Sequence, residues 1–287
     1  MHEFGKAYLY GICDGGDFDT RLSVQNSRVS VFHIPALHWA TIQVDKSLGL
    51  TVARKSIKAA LHYWPNYLHV PCEKTKNMTP LQLAAKNGLS EMVDELIEAS
   101  PFVDARLYLN SPDNTDENPL LLITPYHREI QGWRDFHITV NALTIAMTSR
   151  HLHIAETLAH HTQDLKETSG YADKDLVPAM KIAALYKMTS VIRILQERGY
   201  QSHNRNAYFL EASALHVAAI TDGNEETLKL LLDNGADIDA VDIGGLDAFQ
   251  WAVSAFAERG ECYSNAVFLA EILGPVRVPY FLPVEEE

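Results

Sequence analysis

Short apolar runs and longer amphipathic stretches alternate along most of this chain at a nearly constant interval. Leu81-Gln82-Leu83-Ala84-Ala85 is one such run; Gly88 stands seven residues after Leu81, and Val93 and Leu96 follow, three apart. This spacing predicts a short helix, a turn at Gly88, and a second helix with Val93 and Leu96 on its inner face. The same count from Leu143 puts Arg150 at a turn and Ala155 and Leu158 inside. From Met180 it puts Lys187 at a turn and Ile192 and Leu195 inside. Gly199 then ends the helix, where a residue that tolerates positive φ is favoured. The starts at Leu143, Met180, Leu215 and Phe249 follow one another at 37, 35 and 34 residues.

Two runs are less regular. Ala36-Leu37-His38-Trp39-Ala40 opens a first pair, with a longer turn at Asp45–Gly49 and a second helix from about Leu50 to Tyr63, before Pro65. Asp247–Val253 opens a last pair, which a helix over Ser264–Leu273 closes, with Gly274-Pro275 as its stop.

Ser213–Asp242 carries the most specific motif. Ala214-Leu215-His216-Val217-Ala218-Ala219 resembles the TPLHxAA helix start of the ankyrin repeat, and Leu230-Leu231-Leu232 with Gly235-Ala236-Asp237 resembles its LLxxGAD helix end. Met78–Ala85 matches the helix start better still, and Thr79-Pro80 is the one Thr-Pro that survives at these helix starts. Copies without it need another start, such as Asn141 or Ser213 as N-cap. The resemblance implies a mainly α fold: an ankyrin-repeat solenoid of about five to six helix pairs over residues 36–273. A single repeat cannot bury its own apolar face, so neighbours are required. The resemblance also implies that His38 and His216 bond between repeats, and that the chain is a scaffold for a protein partner.

Two stretches break the interval. Leu81 and Leu143 are 62 residues apart, nearly two periods, with one convincing helix pair between them. Within 101–140, Ser111–Asn118 has turn composition, and Arg106–Asn110 and Leu120–Thr124 flank it as candidate strands. Two readings stand open: an enlarged β-hairpin insert, or a decayed repeat that starts at Asn118-Pro119-Leu120. Tyr108, Asn110, Asn114, Tyr126, Arg128, Trp133 and Arg134 are the candidate partner-binding residues, since Tyr, Trp and Arg dominate interface hot spots. Trp133 also has a packing reading beneath the loop. Residues 1–35, with an alternating Arg28–Phe32, read as an N-terminal cap over the first repeat, and 274–287 as a tail or linker.

Composition narrows the function. The chain has 287 residues, a formal charge of −13 and 47% hydrophobic residues. That charge argues against direct nucleic-acid binding, which needs a cationic surface. No apolar run reaches the ~18 residues of a membrane span. The start of the chain lacks the pattern of a secretory signal, and three widely spaced cysteines suit a reducing compartment, so a cytoplasmic monomer is expected. The charge is uneven. Lys46, Arg54, Lys55, Lys58, Lys74 and Lys76 form a basic region, and Glu211–Asp247 an acidic one.

Chemistry finds little support. Cys13 with His33 lacks a surrounding nucleophile motif, and Asp14–Asp19 lacks the further ligands of a calcium loop. His151, His153, His160 and His161 would need a closed ligand set to hold a metal. No cofactor is implied. The irregular repeats and the acidic Glu285-Glu286-Glu287 end resemble ankyrin effectors of intracellular bacteria, which implies secretion into a host cell and a host protein as partner. The competing class is a recruiting module of an enzyme, with catalysis in 1–35 or beyond residue 287.

Overall fold

The computed structural model describes residues 36–43, 46–63, 68, 75, 78–99, 107–109, 138–161, 179–199 and 212–274. The expected N-terminal cap and C-terminal tail lie outside them. The chain divides into two compact units: Met1–Leu107 with Asn141–Asp164, and Tyr108–Val140 with Leu165–Glu287.

Among its described residues the first unit contains three helix pairs: α1 Ala36–Thr41 with α2 Lys46–Tyr63, α3 Pro80–Lys86 with α4 Ser90–Ala99, and α5 Ala142–Thr148 with α6 Leu152–His161. The first helices stack in the order α1, α3, α5, and the second helices in the order α2, α4, α6. The second unit repeats this plan with α7 Ala179–Leu185 and α8 Thr189–Glu197, α9 Ala214–Ala219 and α10 Glu225–Asp233, and α11 Ala248–Arg259 and α12 Tyr263–Leu273. There α7, α9 and α11 form one row, and α8, α10 and α12 the other. Two three-residue strands, β1 Leu107–Leu109 and β2 Ile138–Val140, pair in a two-stranded sheet. The partner of β1 among the described residues is therefore 138–140; the expected partner Leu120–Thr124 lies outside them, as does the interior of the 101–140 segment.

Helix starts follow from the residue types at the N-cap and three positions later. Thr79 accepts the N–H of Gln82 and Gln82 Oε1 accepts the N–H of Thr79 (3.3 and 2.8 Å), with Pro80 just inside, where its missing N–H costs nothing. Asn141 and Thr144 exchange the same pair of bonds, at 2.8 and 3.0 Å, and Asp247 and Gln250 at 2.8 and 2.9 Å. Asn141 thus starts its helix without the Thr-Pro that the copy lacks.

The turns also fall where counting placed them. Gly88, Arg150 and Lys187 are all left-handed, with φ of 71°, 61° and 57°. Each closes its helix with the same two bonds: the turn residue to a carbonyl three back, and the next residue to one five back, as in Leu89 N–H to Ala84 O at 3.0 Å, His151 N–H to Ala146 O and Met188 N–H to Ala183 O at 2.9 Å. Arg150 and Lys187 hold this conformation against a steric cost of roughly 1–2 kcal/mol that glycine escapes. The expected inner residues are buried: Val93 and Leu96, Ala155 and Leu158, Ile192 and Leu195.

The first pair departs from expectation. Residues 46–49, read as part of a long turn, belong to α2. A Cβ on Gly49 would lie 2.6 Å from the Ala40 carbonyl oxygen, so this glycine lets α2 close onto α1 instead of making a turn. The last first helix, α11, has 12 residues where α3 has 7, and ends at the left-handed Gly260.

Candidate partner-binding surface

Polar side chains tie each helix pair to the next within a unit. His38 is buried, and its Nε2 meets the carbonyl of Met78, just before the next N-cap, at 2.9 Å. Burial holds its pKa down at about 4, against the smaller opposing effect of that bond. The ring is therefore neutral at physiological pH and Nε2–H is the donor. His216 does the same in the second unit. Its Nδ1 lies 3.2 Å from the Ser213 N–H, which fixes Nδ1 as acceptor, and Nε2–H donates to the Leu246 carbonyl at 3.1 Å. The expected role of both histidines is borne out by this geometry. Asparagines serve the turn side. Asn87 donates to Thr41 O at 2.8 Å in the first unit. In the second, Asn224 donates to Ala184 O at 2.9 Å, and Asn265 to Ala219 O and Thr221 O at 3.0 and 2.7 Å. Carbonyls at the helix ends and turns are bonded from the next repeat in this way.

The Leu246 carbonyl belongs to a loop with unusual internal order. Asp242 is buried, and its Oδ1 accepts the N–H groups of Gly244 and Leu246 at 2.8 and 2.9 Å. Its Oδ2 accepts the indole N–H of Trp251 at 2.8 Å. Trp251 is fully buried and meets the His216 ring edge to face, with centroids 5.3 Å apart. The Asp242 N–H donates to Leu246 O at 2.8 Å, closing the loop on itself. With Asp242 turned inward, its neighbours Val241 and Ile243 turn outward, and Ile243 is 65% exposed. The exposed Asp237 and Asp239 precede them. The result is a rigid apolar tip beside carboxylates, with its conformational entropy already spent before any partner arrives.

Two family matches agree with this construction. The family described as "Ankyrin repeat" matches residues 76–106, and "Ankyrin repeats (many copies)" matches residues 215–258. The chain carries ankyrin repeats in both matched stretches. No curated protein matches it. The repeats mark a protein–protein interaction scaffold, in a family that is generally non-catalytic. No helix among the described residues is long and apolar enough to cross a membrane.

Of the candidate contact residues, Tyr108 lies in β1, while Asn110, Asn114, Tyr126, Arg128, Trp133 and Arg134 lie outside the described residues. The histidines of α6 are spread out. His151 covers Gly88 and approaches Lys86 O at 3.0 Å, His161 approaches Thr157 O at 2.8 Å, and His153 and His160 are exposed. Among the described residues no group of three or more His, Cys, Asp or Glu is placed to hold a metal. Cys262 is buried, which pushes its thiol up to about 11 and keeps it protonated. Cys13, Asp14–Asp19 and His33 lie outside the described residues.

Reading the sequence missed the loop at 240–246. Asp242 was counted with an acidic run, and Trp251 as part of a helix start. A signal was present: an Asp two and four residues before Gly244 and Leu246 suits a loop in which its side chain caps its own backbone.

Proposed function

We propose that this ankyrin-repeat protein is a non-enzymatic monomeric scaffold that binds its protein partner through two elements: the loop around Ile243 and the 101–140 segment. The observation that carries the reading is Ile243 itself. A large apolar side chain exposed at the tip of a clamped loop offers an anchor whose burial in a partner costs little ordering. The 101–140 segment joins it because a long insertion on a repeat array is commonly a binding device, and because it holds Tyr108, Tyr126, Arg128, Trp133 and Arg134. The finer reading is delivery into a host cell and a host protein as target. It rests on the sequence resemblance and the Glu285–Glu287 run.

Affinity capture from host-cell lysate, quantified by mass spectrometry, tests both elements. Ile243→Asp and deletion of Asn110–Asn118 are each expected to reduce the captured partner by about tenfold, the scale of one hot-spot residue. Melting temperatures should stay within a few degrees of the unaltered protein. Undiminished capture by Ile243→Asp would remove the loop from the interface. A deletion that melts the protein would make the segment structural instead. Capture that fails to enrich any protein would count against the host target.

A further inference from the structure

The longest helix of the first unit carries a second, separate surface. Helix α2 has 18 residues and holds no Asp or Glu, in a chain with 37 acidic and 24 basic residues. Its inner side is well packed: Val52, Ala53, Ser56, Ile57 and Ala60 are all buried. Its outer side is cationic. Thr51, Lys55, Lys58 and His62 are spaced by four, three and four residues, so they share one face, and all four are exposed. Lys46 is exposed at the start of the helix, and Arg54 lies beside this face, bonded to Glu95 of α4 at 2.6 Å.

Lys46, Lys55 and Lys58 make no ion pair among the described residues, and the helix supplies none of the i, i+4 acids that commonly neutralise such a face. Lys46 also stands at the helix N-terminus, where the macrodipole disfavours a cation. A purely solubilising surface has no need of this arrangement in a protein so rich in carboxylates. Leu48 and Leu61, 41% and 46% exposed, flank this face on opposite edges, about 140° apart around the helix axis. Thirteen residues separate them, about 20 Å along the helix.

We infer that the outer face of α2 docks an acidic protein segment that crosses it obliquely, with one apolar residue over each edge and about 20 Å between them along the helix. The carboxylates of that segment would face Lys55 and Lys58, while its apolar ends cover Leu48 and Leu61. Opposite charge selects the partner and sets its approach, and the two leucines fix the register. This surface lies in the first unit and stands independently of the Ile243 loop.

The test uses the full chain and a fluorescein-labelled acidic helical peptide, with two leucines about fourteen positions apart so that both lie on one face of it, and glutamates between, followed by fluorescence anisotropy. The expected result is saturable binding that weakens with added salt. The Lys55→Glu, Lys58→Glu double variant should weaken it by about tenfold or more, as expected for reversed charge pairs. The Leu48→Ser, Leu61→Ser variant, or serines in the peptide, should weaken it at any salt concentration. Circular dichroism melts show whether the variants remain folded. Peptide binding that is insensitive to the lysine reversal at an unchanged melting temperature overturns the inference. So does an absence of peptide binding alongside lysine-dependent sedimentation with phosphatidylserine vesicles. Lysine-dependent dimerisation in sedimentation equilibrium would assign the face to a second copy of the chain and overturn it equally.

Discussion

Asp242→Ala is expected to destabilise the second unit by about 3 kcal/mol, since it removes a buried carboxylate that three donors share. The alanine leaves the Trp251 indole N–H unsatisfied in a fully buried position, which costs a desolvation penalty as well as a bond. It also frees the loop that presents Ile243. Trp251→Phe separates these effects. That variant keeps the two backbone bonds to Oδ1 and removes one donor to Oδ2, so a loss of about half as much is expected. Urea denaturation followed by far-UV circular dichroism measures both, and the double variant reports their coupling. A midpoint for Asp242→Ala equal to that of the unaltered protein would mean that the carboxylate does not clamp the loop. The same variant is expected to lose partner capture as Ile243→Asp does, because an anchor on a mobile loop must first be ordered.

Acid is expected to destabilise the protein through its buried histidines before most carboxylates titrate. Burial lowers the His38 pKa from 6.5 to about 4, and burial also lowers that of His216. Between these values the unfolded chain binds a proton that the folded protein refuses. Stability is therefore full above pH 6.5 and falls as the pH drops towards 4. For His38 the loss approaches roughly 3 kcal/mol at the acid end of that window. His38→Gln is the informative control, since Gln82 fills the corresponding place in the next repeat. Thermal melts at pH 7 and pH 5 should show a smaller drop for the variant than for the unaltered protein. An equal drop would mean that protonation of His38 is not what acid exploits.

How much of this was legible depended on how far each interaction reaches along the chain. The turns at Gly88, Arg150 and Lys187 could be counted from the apolar pattern, even where glycine is absent. The bonds that close each turn join residues three to five apart. The inner faces of α4, α6 and α8 were legible for the same reason, because a 3.6-residue period is a local property. Asn141 as a helix start needed only Thr144, three residues away. Gly49 was misread because its role depends on the Ala40 carbonyl of another helix. The proposed contacts from Asn110 to Arg134 rest on residue type alone and lie outside the described residues.

Apolar spacing and cap residues alone specify the repeating helix pairs, their turns and their starts, together with the ankyrin resemblance that the family matches bear out. Which polar residues become buried connectors, and which apolar residues stay outside, depends on packing between repeats. Asp242 and Ile243 are neighbours, yet one is buried and the other is the most exposed large apolar residue among those described. Their opposite fates follow from Trp251, packed against the His216 ring of another repeat, whose indole N–H draws the carboxylate inward. Lys46, Lys55 and Lys58 likewise make no ion pair among the described residues, although α4 with its carboxylates packs beside their helix and Glu95 pairs with Arg54 instead. Burial and charge neutralisation are set by neighbours distant in the chain, and a periodic pattern carries no record of them.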